Sequence, residues 1–447
     1  MALVVCVLAF VGLAPLNEAQ LRRHEAFRMT TWPPTVEDGG DLVVFWHAGE
    51  RLLTVKDYVT ISCGPQNGPD DYLARKNVTE ADAAPNSVRF SGLYMMRCDY
   101  RIEYFLYESP TNSFRSLGSI LVPTRESWRA PKHGHIALTT ERDAIAVMFN
   151  SGSPRTPEVR FGTNRERLSR HATGTTTTYK STDMCHAPAN QTSQRLFRDP
   201  GFFHTVILRI LVSGQIYYYQ YGNDRDGWSD IASFRSPPAE EVQTAKFIAY
   251  ADMGVDPSPA ASSTAMRVYA DVVARGYDSF LLHFGDISYA RGEGSVWDQF
   301  FHIIEPYATK MYVRVNLRMF TDEHDYTEGG ARDPSGEAGE KGDSFHPYWG
   351  NYGSDSYGEC SVPMVHRWHG ECVPDGKSAP VHMVVGTAGY DLSDSGFSNK
   401  YGEWSVAHVD DYGHIRAAVT ADTMRIEFVL NRNGTVFDSV TLTPYHV

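Results

Sequence analysis

The sequence has little of what marks nucleic-acid-binding and membrane proteins. Its 41 lysine and arginine residues are outnumbered by 54 aspartate and glutamate residues, which gives a net charge of −13. A general nucleic-acid binder needs a basic face for the phosphate backbone, so this excess of acid argues against one. After residue 15 there is no apolar run long enough for a membrane helix, and we therefore expect no membrane span.

Cysteine is scarce, and its spacing shows no CxxC or zinc-finger pattern. After the N-terminal apolar run, five cysteines remain in the chain. In an oxidising compartment we expect disulfides between Cys63 and Cys98 and between Cys360 and Cys372. This pairing leaves Cys185 over, which predicts an intermolecular bond, a free thiol or a partner that is missing from the sequence.

The first 15 residues are almost all apolar, too few to span a bilayer. Such a run is typical of the hydrophobic region of a signal peptide, which we place at residues 1–19 with cleavage after Ala19. The run lacks a basic start, and Glu18 lies beside the cleavage point. A misplaced start codon and a buried strand are the alternatives.

Three Asn-x-Thr sequons agree with secretion because this triplet is the acceptor for N-glycosylation. They begin at Asn77, Asn190 and Asn433. Together with the leader, they predict a secreted, extracellular glycoprotein.

Length and composition indicate a multidomain globular protein. At roughly 150 residues per domain, 447 residues correspond to about three domains. The 42% apolar and 21% charged residues are an ordinary globular mix, and 25 Tyr, 24 Pro and 37 Gly favour many short strands and turns. We predict an N-terminal β domain at 20–130, a second β domain at 131–240 and an α/β core at 245–447.

Both predicted β domains contain short alternating or apolar runs bounded by turn residues. In the first, residues 41–46 and 101–107 have this pattern. The second has about seven such segments, which predict an immunoglobulin-like or fibronectin-III-like sandwich. Six of them lie at 136–138, 144–149, 158–161, 175–179, 204–208 and 215–221, and the domain closes at 233–238.

The pattern changes after residue 245 to strand, helix, strand and helix, which predicts buried parallel strands in an α/β core. The strands are expected at 246–251 and 279–284, and neither leads into a GxGxxG or P-loop. The helices are expected at 262–275 and 296–310. Their predicted buried faces are Met266, Val268, Tyr269, Val272 and Val273, and Trp297, Phe300, Phe301, Ile304 and Tyr307. Further strands are expected at 381–385, 415–419, 425–430 and 436–443.

Each of the two apolar strands is followed by an acid and a glycine. Asp252 precedes Gly254, and Gly285 precedes Asp286, with Tyr289 three residues further on. Because ligands of α/β sheets bind at the carboxyl ends of strands, we expect the two carboxylates to lie side by side. Such a pair repels unless a cation lies between, and a phenolate oxygen suits Fe(III). The alternative for either Asp alone is a helix cap.

These segments resemble the first two metal motifs of purple acid phosphatases, a group within the calcineurin-like metallophosphoesterases. The resemblance extends over most of the chain and fits the plant-type large enzymes, through blocks at 234–238, 307–310, 358–363, 380–389 and 431–434. It implies hydrolysis of phosphate monoesters at acid pH by Fe(III) and a second metal, Fe, Zn or Mn. It also assigns Asp252 and Tyr289 to Fe(III) and makes Asp286 the bridging ligand.

The chain departs from the family at the remaining motifs. Where the third motif, Gly-Asn-His-Glu, is expected, Thr321 and Asp322 stand at the Asn and His positions. Neither replaces the original chemistry, and the nearby His324 is the nearest substitute for the His that assists the leaving group. The Gly-His-x-His segment is absent. The blocks that flank it nearly meet, so a segment is missing near 365–380.

Other histidines offer no replacement for the missing ligands. His366 and His369 lie three residues apart, but their surroundings resemble an ordinary loop of the family. His382, His408 and His414 lie in predicted strands without a partner motif.

Only three of the seven metal ligands that the family's motifs supply are present, all for the first iron or the bridge. We therefore expect this chain to bind at most one metal and to hydrolyse phosphoesters poorly or not at all. A non-catalytic secreted relative and a splicing or gene-prediction fault in an active enzyme are the alternatives. Loss of the segment should expose the apolar faces of 247–251 and 280–284. A homodimer is left open.

Overall fold

The computed structural model describes most of both β domains and the first half of the core. The described residues are 27–48, 53–66, 68–80, 84–94, 97–141, 143–184, 187–237, 244–315, 359, 362–368, 387–390, 392, 407 and 409–443. They belong to two compact units. The first comprises Met1–Val36, Asp41–Ser91 and Tyr100–Pro123, and the second comprises Glu37–Gly40, Gly92–Asp99 and Thr124–Val447. No described helix is long and apolar enough to cross a membrane.

The first unit consists of two small sheets with alternating burial along their strands. One has the order β1-β2-β5 and the other β4-β3-β6-β7. The runs predicted at 41–46 and 101–107 form β2 and β6. The strands are β1 (Arg28–Trp32), β2 (Gly40–His47), β3 (Tyr58–Cys63), β4 (Ala74–Asn77), β5 (Ser87–Leu93), β6 (Tyr100–Glu108) and β7 (Ser113–Val122).

The predicted sandwich opens the second unit. One layer has the order β11-β10-β14-β15, with β16 also paired to β14, and the other has β12-β13-β9-β8. Buried residues such as Val147, Phe161 and Tyr219 form its core. The strands are β8 (Lys132–Leu138), β9 (Ile145–Ser151), β10 (Glu158–Gly162), β11 (Arg170–Thr173), β12 (Thr175–Thr177), β13 (Phe202–Leu208), β14 (Ile216–Asn223), β15 (Gly227–Trp228) and β16 (Ala232–Arg235).

The α/β core continues the same sheet. The ten-stranded order is β12-β13-β9-β8-β19-β18-β17-β20-β21-β22, and the junction pairs Tyr312 with Ile136. The sheet therefore runs through the predicted domain boundary at 240–245. The elements are β17 (Ala245–Ala251), α1 (Ala261–Arg275), β18 (Phe280–Phe284), α2 (Gly294–Ala308), β19 (Tyr312–Val315), α3 (Val362–Arg367), β20 (Gly413–Val419), β21 (Met424–Leu430) and β22 (Val436–Leu442).

The two long helices differ in how well their buried faces were predicted. All five predicted residues of α2 are buried. In α1, Val268 and Val272 are buried, but Met266, Tyr269 and Val273 are 68%, 40% and 56% exposed. At 100° per residue these five positions form two separate stripes, so they do not share one face. The helix instead buries small residues, including Ala261 and Ala265, against the sheet.

The expected exposure of the core strands is wrong for β17, where residues 247–251 are all buried. On one face of β17, Ile248 and Tyr250 pack in a cluster that includes Val268 and Trp297. On the other face, Phe247 lies in a cluster with Ile415 of β20, the strand that pairs with β17 in the same sheet. Phe280 and Leu282 of β18 are half-buried beside this cluster. The strand predicted at 381–385 lies outside the described residues.

Candidate metal centre

The two acidic motifs meet at one edge of the sheet. Strands β17 and β18 are parallel, with Ala251 opposite Phe284, so both motifs leave the sheet at the same end. The backbone N–H of Asp286 donates a hydrogen bond of 3.0 Å to Oδ1 of Asp252. Asp286 is fully buried and Asp252 is half-buried. The structure therefore places the Asp252 carboxylate against the backbone of Asp286, so the two acidic residues that the sequence pattern paired are neighbours.

Glycine at position 285 is what allows this approach. Gly285 has a φ of 59°, in the left-handed region, and Asp252 has a φ of 58°. A Cβ atom on Gly285 would lie 2.5 Å from Oδ1 of Asp252, closer than two such atoms can approach. Only a residue without a side chain fits here, which explains the Gly-Asp order in the motif.

A buried histidine supports the loop that carries Asp286. Nε2 of His283 lies 3.0 Å from the backbone oxygen of Asp286. Burial lowers the pKa of His283 to about 4, so the ring is neutral near pH 7 and donates from Nε2 to this oxygen. The sequence analysis gave His283 no role because its contact is made through the backbone of the motif.

A segment from the C-terminal region lies over both motifs. The backbone N–H of Ala388 donates to the oxygen of Ala251 at 3.0 Å, and that of Tyr390 donates to the oxygen of Asp252 at 3.1 Å. Gly389 packs against the start of α1, where a Cβ atom would lie 2.5 Å from the nitrogen of Ala261. The block at 380–389 thus ends directly at the candidate centre.

Two tyrosines stack beside the carboxylates. The rings of Tyr289 and Tyr390 have their centroids 3.6 Å apart and are inclined by 8°. The guanidinium of Arg291 lies 5.7 Å from both centroids. Tyr390 and Arg291 are site residues that the sequence analysis missed. The only signal for Tyr390 was its position immediately after the block at 380–389.

The residues present fit one hard cation. Carboxylate and phenolate oxygens are the donors that such a cation prefers, and Asp252, Asp286 and Tyr289 supply them. Among the described residues, no group of three or more His, Cys, Asp or Glu side chains is placed to hold a metal ion. Thr321, Asp322, His324, His369, His382 and His408 lie outside the described residues.

The two described histidines of the incomplete motifs are in structural contacts. Nδ1 of His366 lies 3.3 Å from Oγ1 of Thr177, and its ring packs 5.4 Å from that of Tyr179. Nε2 of His414 lies 3.0 Å from Oδ2 of Asp271 on α1. Both histidines make these contacts with neighbouring side chains.

Some of the predicted disulfide and glycosylation sites lie among the described residues. Cys63 and Cys98 are both disulfide-bonded. Asn190 and Asn433 are exposed, and Asn77 at the end of β4 is half-buried. Cys185, Cys360 and Cys372 lie outside the described residues.

A second buried carboxylate on α2 has a different environment. Arg97 forms two hydrogen bonds of 3.1 and 2.5 Å with Asp298, and Nη2 of Arg367 lies 3.5 Å from the same carboxylate. Nδ1 of His133 is 3.8 Å away. Burial alone would raise the pKa of Asp298. The positive charges of Arg97 and Arg367 lower it by more, so the pKa lies below its usual value. The sequence gives no sign of this cluster because its members are far apart in the chain.

Comparison with known proteins places both ends of the second unit in one family. The family model described as "Purple acid Phosphatase, N-terminal domain" matches residues 131–236. The model described as "Iron/zinc purple acid phosphatase-like protein C" matches residues 379–439. These two segments flank the strands that carry Asp252 and Asp286.

Relatives named as purple acid phosphatases cover much of the chain. Probable inactive purple acid phosphatase 9 of Arabidopsis thaliana is 28% identical over 384 residues, which are 79% of this chain and 56% of that relative. Probable inactive purple acid phosphatase 27 of the same plant is 27% identical over 318 residues, 66% of this chain and 47% of that relative. The chain thus spans about half the length of these curated relatives.

The fold is shared with a solved structure. A purple acid phosphatase isolated from yellow lupin (Lupinus luteus) seeds superimposes with a TM-score of 0.71 at 17% sequence identity, over 94% of this chain and 96% of that one. Its likeness agrees with a β-sandwich followed by a metallophosphoesterase core. The two family models and the matching motif order thus show similarity to purple acid phosphatases at both ends of the second unit, and the solved structure shows the shared fold.

Proposed function

We propose that this chain binds one Fe(III) ion through Asp252, Asp286 and Tyr289 and hydrolyses phosphate monoesters poorly or not at all. The observation that carries the proposal is the 3.0 Å hydrogen bond that joins the Asp252 carboxylate to the Asp286 backbone at adjacent strand ends. By the resemblance to the family, Asp286 would be the ligand that bridges two metals. When bound, the ion would polarise a phosphate oxygen or a water.

The weak activity follows from the missing half of the centre. Two-metal phosphoester hydrolysis needs both ions held a few ångströms apart, so that attacking and leaving oxygens are both stabilised. In this chain Thr321 and Asp322 take the positions of an Asn ligand and a His. His324 is then the nearest side chain for the acid role. A second ion, Fe, Zn or Mn, would have only the bridging Asp286 from the recognised motifs.

The names of the matched plant relatives agree with this proposal. Both relatives compared above are named probable inactive purple acid phosphatases. The wording describes those proteins, and for this chain it supports testing metal binding separately from turnover.

The test measures metal content and turnover on the same preparation. The purified chain is loaded with Fe(III) together with Zn(II) or Mn(II), desalted and analysed by mass spectrometry of its metals. p-Nitrophenyl phosphate hydrolysis is then followed at acid pH. We expect one iron per chain and a rate that Asp286→Asn does not reduce. Two bound metals and a rate that is lost in Asp286→Asn would contradict the proposal.

A second candidate is an active enzyme whose sequence is represented here with a fault. The observation that favours it is a disturbed third motif between two clean family blocks, at 307–310 and 325–326, followed by the missing segment. Sequencing the transcript across the codons for Lys310 to Val381 decides between the candidates. A transcript that encodes Gly-Asn-His-Glu and Gly-His-x-His makes the enzyme reading the correct one. A transcript that matches this chain leaves the one-metal protein.

We further propose secretion, with a signal peptide at residues 1–19 and glycans at Asn77, Asn190 and Asn433. Support comes from the apolar start of the sequence and from the exposure of Asn190 and Asn433. Expression in a eukaryotic secretory host tests this, because the product in the medium should start at Gln20 and lose mass on deglycosylation. A homodimer is also proposed, and light scattering of that product tests it.

A further inference from the structure

The pair formed by Tyr289 and Tyr390 has an unusual geometry for two aromatic side chains. Aromatic pairs prefer offset or edge-on contacts with centroids about 4.5–7 Å apart, because the negative faces of the rings repel each other. Here the centroids are 3.6 Å apart and the rings are nearly parallel, so the contact is face to face. Such a contact persists only where the surrounding structure imposes it.

The backbone around Tyr390 imposes this position. Its N–H donates to the oxygen of Asp252 at 3.1 Å, and its own oxygen lies 3.4 Å from the hydroxyl of Tyr412. Below the rings, Gly254 has a φ of 63°, and a Cβ atom there would meet Tyr390 at 3.1 Å and Tyr289 at 3.4 Å. Tyr390 is thus attached to the same backbone segment that carries the Asp252 carboxylate.

A cation on the Tyr289 oxygen would favour the contact further, because it withdraws electron density from one ring and weakens the repulsion between the two faces. The stack and a metal on Tyr289 should therefore stabilise each other. The Arg291 guanidinium, 5.7 Å from both centroids, lies beside the stack and not over either face.

We propose that Tyr390 is a positioning residue for Tyr289: its ring holds the Tyr289 phenol in the orientation that presents its oxygen to a cation at Asp252 and Asp286. This inference rests on the proposed function, since it concerns the same centre. It requires an aromatic ring at position 390 and does not require its hydroxyl. Tyr390→Phe should therefore keep Tyr289 in position, whereas Tyr390→Leu should not.

The first test is a ferric titration of the purified full chain, followed by the visible absorption of the iron–phenolate bond. Tyr390→Leu should weaken binding by about tenfold or more, the usual cost of losing a residue that orients a ligand, and should shift the absorption maximum. Tyr390→Phe should retain both the affinity and the maximum. Tyr269→Leu, at a half-exposed tyrosine of α1, is the matched control and should change neither.

The second test needs no metal. With 3-fluorotyrosine incorporated at position 289, ¹⁹F NMR of the metal-free chain should show a restrained ring in the wild type and in Tyr390→Phe. Tyr390→Leu should show an averaged, narrower signal. Thermal unfolding of each variant verifies that the chain remains folded, and Tyr390→Phe keeps the comparison valid if Tyr390→Leu does not fold.

The outcomes separate this inference from the proposed function. If the wild type gives no ferric absorption but the ¹⁹F signals differ as expected, the proposed function fails and the positioning of Tyr289 stands. If Tyr390→Leu leaves the ferric spectrum, the affinity and the ¹⁹F signal unchanged, the positioning role is overturned. Loss of affinity in Tyr390→Phe equal to that in Tyr390→Leu would also overturn it, since the hydroxyl would then be the essential group.

Discussion

The second unit contains two buried carboxylate sites that differ in the charge around them. Asp298 on α2 is surrounded by charge that the protein itself provides, from Arg97 and Arg367. At the ends of β17 and β18, the fold instead brings two acids, Asp252 and Asp286, next to each other. A buried charge with fixed protein partners serves the fold, whereas two adjacent acids are an arrangement that a bound cation stabilises.

The largest effect should come from removing the charge of Asp298. Asp298→Asn leaves Arg97 and Arg367 buried without their carboxylate, which we expect to cost about 3–5 kcal/mol in the free energy of unfolding. Urea unfolding at neutral pH measures it. Iron binding should be unchanged. A loss below about 1 kcal/mol would mean that Asp298 is not the centre of a structural ion cluster.

Asp286→Asn should give the reverse pattern. It removes the proposed bridging ligand, so ferric affinity should fall about 100-fold, equivalent to about 2.7 kcal/mol. Stability of the metal-free chain should stay the same or rise, because two adjacent acids no longer repel. Asp422→Asn, at an exposed turn, is the control. Large destabilisation of the metal-free protein by Asp286→Asn would show that Asp286, like Asp298, stabilises the fold.

Acid should weaken the fold through its buried histidines. Burial lowers the pKa of His133 to about 3 and the pKa values of His135, His204 and His283 to about 4. In the unfolded chain a histidine takes up its proton near pH 6.5, so stability falls as pH decreases from about 6.5 to about 4. Each such histidine contributes a slope of about 1.4 kcal/mol per pH unit.

The variant His204→Gln isolates the contribution of one histidine to this slope. His204→Gln keeps a polar side chain between Ser151 and Thr176, which lie 2.8 and 2.9 Å from the imidazole nitrogens. Unfolding free energies measured across this pH range should show a slope smaller by about one proton. Met266→Gln, an exposed change without a titrating group, should leave the slope intact. An unchanged slope in His204→Gln would show that this ring takes up its proton alike in the folded and the unfolded chain.

The smallest effect is expected at an exposed carboxylate of the same helix region. Glu293 precedes α2 by one residue and pairs with Arg195 at 2.7 Å, with side chains 35% and 57% exposed. Glu293→Gln should change the free energy of unfolding by less than about 1 kcal/mol. A loss similar to that of Asp298→Asn would show that proximity to α2, and not burial beside two guanidiniums, determines the loss in unfolding free energy.

Sequence reasoning was most successful where one local pattern fixes one structure. The buried face of α2, from Trp297 to Tyr307, was predicted in full because large apolar residues recur at helical spacing. The same reasoning was wrong for half of α1. There, Met266 and Val273 remain exposed because small alanines make the close contact with the sheet. Apolar character alone does not say which stripe a neighbouring sheet will cover.

The candidate centre likewise contains residues that the sequence predicted and residues that it did not. The positions of Asp252, Asp286 and Tyr289 followed from motifs at strand ends. Tyr390 and His283 could not be found in this way, because one arrives from a distant segment and the other acts through a backbone oxygen. Family motifs name ligands, but they do not name the residues that orient those ligands.

The sequence by itself predicted the strand and helix order, the resemblance to purple acid phosphatases and the incomplete set of family motifs, because these depend on local periodicity and on short motifs. Only the tertiary structure decided that β20 pairs with β17 in one sheet, that Asp298 is neutralised by Arg97 and Arg367, and that Tyr390 lies on Tyr289. Each of these contacts joins segments far apart in the chain. Packing and charge pairing act through space, and no local pattern of residues records them.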